Sequence, residues 1–280
     1  MSEVAVITGT THGIGKVTSR ELARAGKTVV MLCRDTTAAR QVRDEIRRQF
    51  SDASILVVHC DLASLASVRE CAKTVRRLVP TIGMLINNAG MVSWRRRVSP
   101  DGFELTFATN HLGPFLLTEL LLDRIEAPGR IINVASRVHF KGDADFERVT
   151  KTAGPYNGFA AYARSKLANV MHALALARRL EGRRIAVNCL HPGVIASNLV
   201  PRWLAIVRPL IRPAMFDVER GAQTTLHLAL SEEGGVMNGR YLDENSRVQP
   251  ASAVANDPEL QEQLWRLSEE WTGLREPVRT

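Results

Sequence analysis

The sequence has no uninterrupted apolar run of membrane-spanning length and no signal-peptide pattern before its first strand, so no transmembrane span is expected and a cytoplasmic location is. Its four cysteines, Cys33, Cys60, Cys71 and Cys189, show no Cys-x-x-Cys spacing. That argues against a redox dithiol or a zinc ribbon and leaves reduced core thiols. The seven histidines are scattered, with no His-x-x-x-His pair and no acidic cluster to complete a metal site, so no metal is expected. Internal repeats and low-complexity segments are also missing.

Charge is less informative than its total suggests. The net charge of +8 invites a nucleic-acid reading. However, the basic residues alternate with acids along predicted helices, as in Arg43-Asp44-Glu45-Ile46-Arg47-Arg48, which describes a solvated face. Trp94-Arg95-Arg96-Arg97 is the one compact basic cluster, and it lacks aromatic stacking platforms, so no nucleic-acid partner is expected.

What is present is an alternation of short apolar strands with helical patterns at 45% hydrophobic content. Strands are expected near 4–7, 28–33, 54–59, 83–86, 130–134, 185–190 and 239–242. Helices are expected near 36–50, 64–79, 103–126 and 159–181, with another after the first strand. A chain of 280 residues can form this as one α/β domain, 1–280, a doubly wound parallel sheet with helices on both faces. The carboxyl edge of such a sheet then receives Gly9, Arg34, Asp61, Asn87, Ser136 and Pro192, where open α/β sheets bind ligands.

Two motifs carry chemistry. Val4-Ala5-Val6-Ile7 reads as a buried strand, and Thr8-Gly9-Thr10-Thr11-His12-Gly13-Ile14-Gly15 turns it into a helix ahead of a second strand, Thr28 to Cys33. This is the βαβ opening of a Rossmann fold. Its glycines let the backbone approach a pyrophosphate, and the helix N-terminus offers unpaired N–H groups. The spacing is Gly-x-x-x-Gly-x-Gly, unlike the commoner dinucleotide fingerprint. Further on, Tyr162 and Lys166 stand four residues apart, on one helix face, where an ammonium beside a phenol favours its ionised form.

With these motifs the chain resembles the short-chain dehydrogenase/reductase family over nearly its whole length. The resemblance also rests on Asp61-Leu62, Asn87-Asn88-Ala89-Gly90, Asn110 in Thr109-Asn110-His111-Leu112-Gly113, Ser136 and Pro192-Gly193. The run Phe107 to Phe115, Tyr156-Asn157 and Gly221-Ala222-Gln223-Thr224 are similar to the retinol-dehydrogenase-like and WW-domain-oxidoreductase-like branch. Membrane-bound members of that branch carry an N-terminal anchor.

The resemblance implies the following roles. Ser136 donates to the substrate oxygen, Tyr162 transfers the proton, Lys166 supports Tyr162 and holds the nicotinamide ribose, and Asn110 holds a water that links Lys166 to solvent. It assigns cofactor contacts to Gly9, Thr11, His12, Gly13, Ile14, Gly15, Asp61, Leu62, Asn87, Ala89, Gly90, Tyr162, Lys166, Pro192, Gly193, Val194 and Ser197. Asp61 would accept from the adenine amine. On the residues alone, Ser136 also suits a strand-end cap and Asn110 a buried amide that satisfies backbone. Cys33-Arg34 ends the second strand where NAD-binding sites carry an acid, so Arg34 favours NADP(H).

Two features bear on substrate. Ser136 and Tyr162 are 26 residues apart, a long interval typical of the retinol-dehydrogenase-like branch, so a loop with Phe140, Phe146 and Tyr156 is expected to border the pocket. After Gly193 a lid is expected near 198–217; Leu199 to Phe216 mixes Trp203, Leu204, Ile206, Val207, Leu210 and Ile211 with Arg202, Arg208 and Arg212. A dimer contact or a peripheral membrane-surface element remain alternatives for that stretch. The expectation is an NADP(H)-dependent oxidoreductase acting on a small lipophilic alcohol, aldehyde or ketone. Its alternatives are a sugar-nucleotide epimerase or dehydratase of the extended family, which needs a larger C-terminal domain, and a non-catalytic NADP-sensing scaffold. A scaffold would be expected to lack Ser136, Tyr162 or Lys166, and all three are present.

Overall fold

The computed structural model describes residues 3–193 and 217–275. Its strands are β1 (Val4–Thr8), β2 (Thr28–Cys33), β3 (Ile55–His59), β4 (Ile82–Asn87), β5 (Ile125–Val134), β6 (Ile185–Leu190), β7 (Arg240–Leu242) and β8 (Val248–Gln249). They form one sheet in the order β3-β2-β1-β4-β5-β6-β7-β8. All pairings are parallel except β7 with β8. Between β1 and β4 the strand order reverses, which opens a crevice at the carboxyl ends of the strands.

The helices are α1 (Gly13–Arg24), α2 (Thr36–Gln49), α3 (Leu65–Leu78), α4 (Leu105–Phe107), α5 (Gly113–Leu121) and α6 (Gly158–Arg179), followed by Val218–Leu230 and Pro258–Trp271 among others. Successive strand residues face opposite sides of the sheet, so β1 contributes Val6 to one core and Ala5 and Ile7 to another. The first core packs Val30, Leu85 and Ile131 under α3, α5 and α6 with Phe115, Leu167 and Trp265; the second packs Val29, Met84 and Ile132 against Leu22, Ile46 and Leu228. Both faces of the sheet are therefore covered, which is why its central strands carry little polar sequence. All four cysteines are buried and unpaired, as core thiols should be.

Three elements differ from the sequence reading. The helix expected over 103–126 is broken into α4, a π-helical turn at Ala108–Leu112, α5 and a 3-10 turn, after which β5 begins at Ile125. Pro114 explains part of this, because it has no N–H for an i→i−4 bond at the start of α5. Gly113 also presses on the neighbouring loop, where a Cβ would come within 2.3 Å of the Leu62 carbonyl oxygen. The antiparallel β8 and the two C-terminal helices were not expected, although Asp217 and Asp257 cap both helices through their carboxylates.

The loop between Ser136 and Tyr162 is the third difference. Phe146 is 2% exposed within the first core. The Tyr156 hydroxyl lies 2.9 Å from both the Ser93 carbonyl and the Glu104 carboxylate, and the Arg96 guanidinium covers its ring. Only Phe140 is open to solvent. The bidentate pair between Arg164 on α6 and Asp143, at 2.8 and 3.0 Å, fastens this loop along the helix. A long interval between motifs says that a loop exists, and packing decided that most of its aromatic content turns inward.

Candidate active site

The glycine-rich turn between β1 and α1 is laced to the loop that follows β4. The Thr8 hydroxyl accepts from the backbone N–H groups of Asn88 (3.0 Å) and Ala89 (2.9 Å), and the Asn88 side-chain amide donates to the carbonyls of Thr8 (2.8 Å) and Gly9 (3.2 Å). Gly9 has φ +72°, and a Cβ there would lie 2.8 Å from the Ala89 Cα. At Gly15 a Cβ would lie 2.1 Å from the Gly9 carbonyl oxygen. Sequence reading missed Thr8 and Asn88 as site-shaping groups; the only signal was a paired asparagine after an apolar strand.

This turn fits a dinucleotide. Gly13, with φ +59°, faces open space, and His12 at the N-cap makes no cap hydrogen bond, its ring held instead 3.0 Å from the Thr11 hydroxyl. The N–H groups of the first helical turn, from Gly13 to Gly15, thus have no side-chain cap, and no acidic residue occupies that turn to compete with a phosphate. Replacing Gly15 by Ala should force the turn open. The expected result is a stability loss of about 1–3 kcal/mol, read as a lower Tm, together with weaker NADPH binding in a fluorescence titration. Unchanged binding by the Ala variant would count against a cofactor in this cradle.

The next edge positions divide into exposed and inward-facing groups. Arg34 is exposed and has no side-chain partner among the described residues, while the Asp35 carboxylate accepts from the Ala38 N–H at 2.9 Å and caps α2. Asp61 accepts from the Ala63 N–H with one oxygen (3.1 Å). Leu62 is 6% exposed and its side chain belongs to the core, so only its main chain faces the crevice. Asn87 also turns inward, donating to Thr118 Oγ1 (3.0 Å) and Asn133 Oδ1 (2.9 Å). Ala89 is partly exposed and Gly90 open, and a Cβ at Gly90 would lie 3.2 Å from Lys166 Nζ. Pro192 and Gly193, the latter with φ +86°, follow β6; Val194, Ser197 and the expected lid lie outside the described residues.

Ser136, Tyr162, Lys166 and Asn110 come together at the ends of β4, β5 and α6. Ser136 follows β5 and accepts from the Val138 N–H at 3.2 Å, so it does cap the 3-10 turn Arg137–Lys141. Burial pushes the Tyr162 phenol up to about 12, opposed by its hydrogen bond with Ser136. Lys166 Nζ lies 5.7 Å from the centre of the Tyr162 ring and donates to the Val134 carbonyl at 2.9 Å. Burial pushes its ammonium down to about 8. Asn110, fully buried in the π-helical turn, accepts from the Met91 N–H (2.8 Å) and donates to the Met91 carbonyl and to Ser165 Oγ (both 2.9 Å). The Ser165 hydroxyl in turn donates to the Tyr162 carbonyl at 2.8 Å, so the Asn110 side chain joins the β4 loop to the helix carrying Tyr162 and Lys166.

A phenol, a hydroxyl and an ammonium held beside a glycine-lined cradle is an arrangement for moving a proton next to a bound dinucleotide. Comparison with known proteins agrees. Residues 3–205 match the family model for short chain dehydrogenase. Retinol dehydrogenase 13 of Homo sapiens is 38% identical over 286 residues, spanning 98% of this chain and 86% of that protein. Dehydrogenase/reductase SDR family member 13 of Bos taurus is 41% identical over 281 residues, spanning 96% of this chain and 73% of that protein.

Among solved structures, a protein from Mycobacterium paratuberculosis superposes with a TM-score of 0.79 at 32% identity, covering 98% of this chain and 95% of that one. A blue fluorescent protein from a metagenomic library, in complex with NADPH, gives a TM-score of 0.69 at 27% identity, covering 86% and 95% of the two chains. The 3-ketoacyl-(acyl-carrier-protein) reductase from Brucella melitensis, complexed with NADH, gives 0.67 at 25%, also covering 86% and 95%. Structures of this shape thus hold either nicotinamide cofactor. The motifs, the fold and the comparisons agree that this chain is an oxidoreductase belonging to the short-chain dehydrogenase family, in its retinol-dehydrogenase-like branch.

Proposed function

We propose that this oxidoreductase uses NADP(H) to interconvert a small lipophilic alcohol and its aldehyde or ketone, with Tyr162 as the acid and base. The observation that carries the reading is the meeting of Tyr162 with Ser136 and Lys166 at the mouth of the cradle. Gly9, Gly13, Ile14 and Gly15 would hold the pyrophosphate, Arg34 the adenosine 2′-phosphate, Asp61 the adenine, and Lys166 the nicotinamide ribose. When bound, the nicotinamide ring supplies or accepts the hydride.

The chain's own residues handle the proton. Ser136 donates a hydrogen bond to the substrate oxygen and orients it. Tyr162, kept protonated at neutral pH by burial, gives its phenolic proton to that oxygen in the reductive direction and takes one back in the oxidative direction. The nearby Lys166 ammonium favours the phenolate that remains. Since the Asn110 side chain is engaged with Met91 and Ser165, a water relay at this position would use main-chain groups of the π-helical turn.

Support for a lipophilic substrate comes from the printed names of the retinol dehydrogenase relatives and from the apolar composition of Leu199 to Phe216. Purified protein screened for NADPH oxidation against lipophilic aldehydes and ketones should show turnover. No turnover in either direction with any lipophilic carbonyl or alcohol would favour the scaffold reading instead.

Lys166 also sets a pH dependence. A buried lysine whose pKa is lowered is charged below about 8 and neutral above it. The reductive kcat/KM for NADPH should therefore fall by about tenfold per pH unit above that point, because the ribose contact and the support of the phenolate both need the charge. In Lys166→Arg the guanidinium keeps its charge, so the alkaline limb should disappear even if the absolute rate is lower. A limb that persists in that variant assigns the titration to another group.

A further inference from the structure

His139 is completely buried, three residues beyond Ser136. Its Nδ1 lies 2.8 Å from the Ser136 carbonyl oxygen and its Nε2 lies 3.2 Å from the backbone N of Ser252. These partners allow one protonation state. The Ser252 amide can only donate, so Nε2 must be the bare acceptor; Nδ1 then carries the hydrogen and donates to Ser136. The ring is wedged edge-on against Tyr241 of β7, 4.7 Å between centroids, and against Phe140 at 4.1 Å. Burial disfavours the imidazolium, which would have no acceptor for its second proton in this position.

We propose that His139, through this single neutral tautomer, is a positioning residue that straps the Ser136 turn to the C-terminal part of the chain and so fixes the serine hydroxyl against Tyr162. The inference rests on the role proposed above for Ser136. The other end of the strap is distinctive. Ser252 and Tyr241 lie beyond residues 3–205, the part matched by the family model, so the strap ties the catalytic turn to sequence outside that match. A second and weaker link runs the same way, from exposed Arg137 to Glu244 at 3.2 Å. The Ser136 hydroxyl itself is aimed by the turn it caps, so releasing the carbonyl of Ser136 would let the whole turn, and with it the hydroxyl, drift. A drift on the order of 1 Å is enough to cost about 100-fold in rate.

The test separates positioning from packing. His139→Leu removes both hydrogen bonds and keeps the bulk, while His139→Gln retains one amide donor and one acceptor. Ser252→Pro removes only the donor N–H from the strap, at a backbone φ of −60° that suits proline. It also removes the hydroxyl that caps the following helix by accepting from the Ala255 N–H, and Ser252→Ala controls for that loss. NADPH affinity by titration shows that each variant is folded. Using a carbonyl substrate found by the screen, His139→Leu and Ser252→Pro should lower kcat by about 10- to 100-fold with NADPH affinity unchanged. His139→Gln should recover most of that rate, and Ser252→Ala should cost far less than Ser252→Pro.

The strap is overturned if His139→Leu and Ser252→Pro keep wild-type kcat, or if Ser252→Ala is as slow as Ser252→Pro. Should His139→Leu fail to bind NADPH, the Ser252 pair decides alone. Ser136→Ala is measured alongside them. Its retention of full turnover would overturn the role of Ser136 and the strap with it. A severe loss in Ser136→Ala beside unaffected strap variants would overturn the strap only.

Discussion

Tyr162→Phe is expected to lower turnover by at least about 100-fold while NADPH affinity stays close to wild type. The hydroxyl is the only part removed, and the ring keeps its place on α6 over the Lys166 ammonium. Folding should be little affected, since the phenol's hydrogen bond is with the Ser136 hydroxyl at the partly exposed mouth of the site. Lys166→Ala should behave differently and damage both rate and cofactor affinity. It removes the charge beside the phenol and the ribose contact, and it leaves the buried Val134 carbonyl without its donor. Steady-state kinetics combined with NADPH titration distinguish the two patterns. A Tyr162→Phe enzyme that keeps more than about a tenth of the wild-type rate would show that another acid supplies the proton.

Arg34→Ala should weaken NADPH binding by about 10- to 150-fold and leave NADH binding almost unchanged, the size expected for losing a charge-assisted contact. The arrangement at the end of β2 motivates this. Arg34 is exposed with no side-chain partner among the described residues, whereas the neighbouring acid, Asp35, spends its carboxylate on capping α2. An uncommitted guanidinium is therefore what an incoming 2′-phosphate would meet. Because the contact is exposed, the preference should shrink as salt is raised. Equal weakening of both cofactors would remove Arg34 from phosphate recognition and reopen the choice between NADP and NAD.

Much of this protein is determined locally by its sequence. Short β-branched runs can be little else than buried parallel strands, and their alternation with helical patterns yields a sheet covered on both faces. The glycines at 9, 13 and 15 mark a turn no other residue could make, as their positive φ angles and close contacts bear out. Tyr162 and Lys166 were legible for a similar reason, since a helix places residues four apart on one face whatever surrounds it. The family resemblance drew on the same short motifs.

Other features depend on which distant groups meet. Nothing in the sequence near Asn87 and Asn88 distinguishes the amide that turns into the core from the one that laces two loops together; the strand's alternation and its neighbours chose. The long helix expected after residue 103 yielded to a π-helical turn where Pro114 and the close approach of the Leu62 carbonyl meet. Phe146 and Tyr156 looked like pocket residues and became core and latch, because the Arg164–Asp143 pair and the Glu104 carboxylate draw their loop inward. Most clearly, the histidine beside Ser136 is an ordinary residue in the sequence. Its ring acquires one fixed tautomer only because folding brings Ser252 to within 3.2 Å of it, across more than a hundred residues of chain.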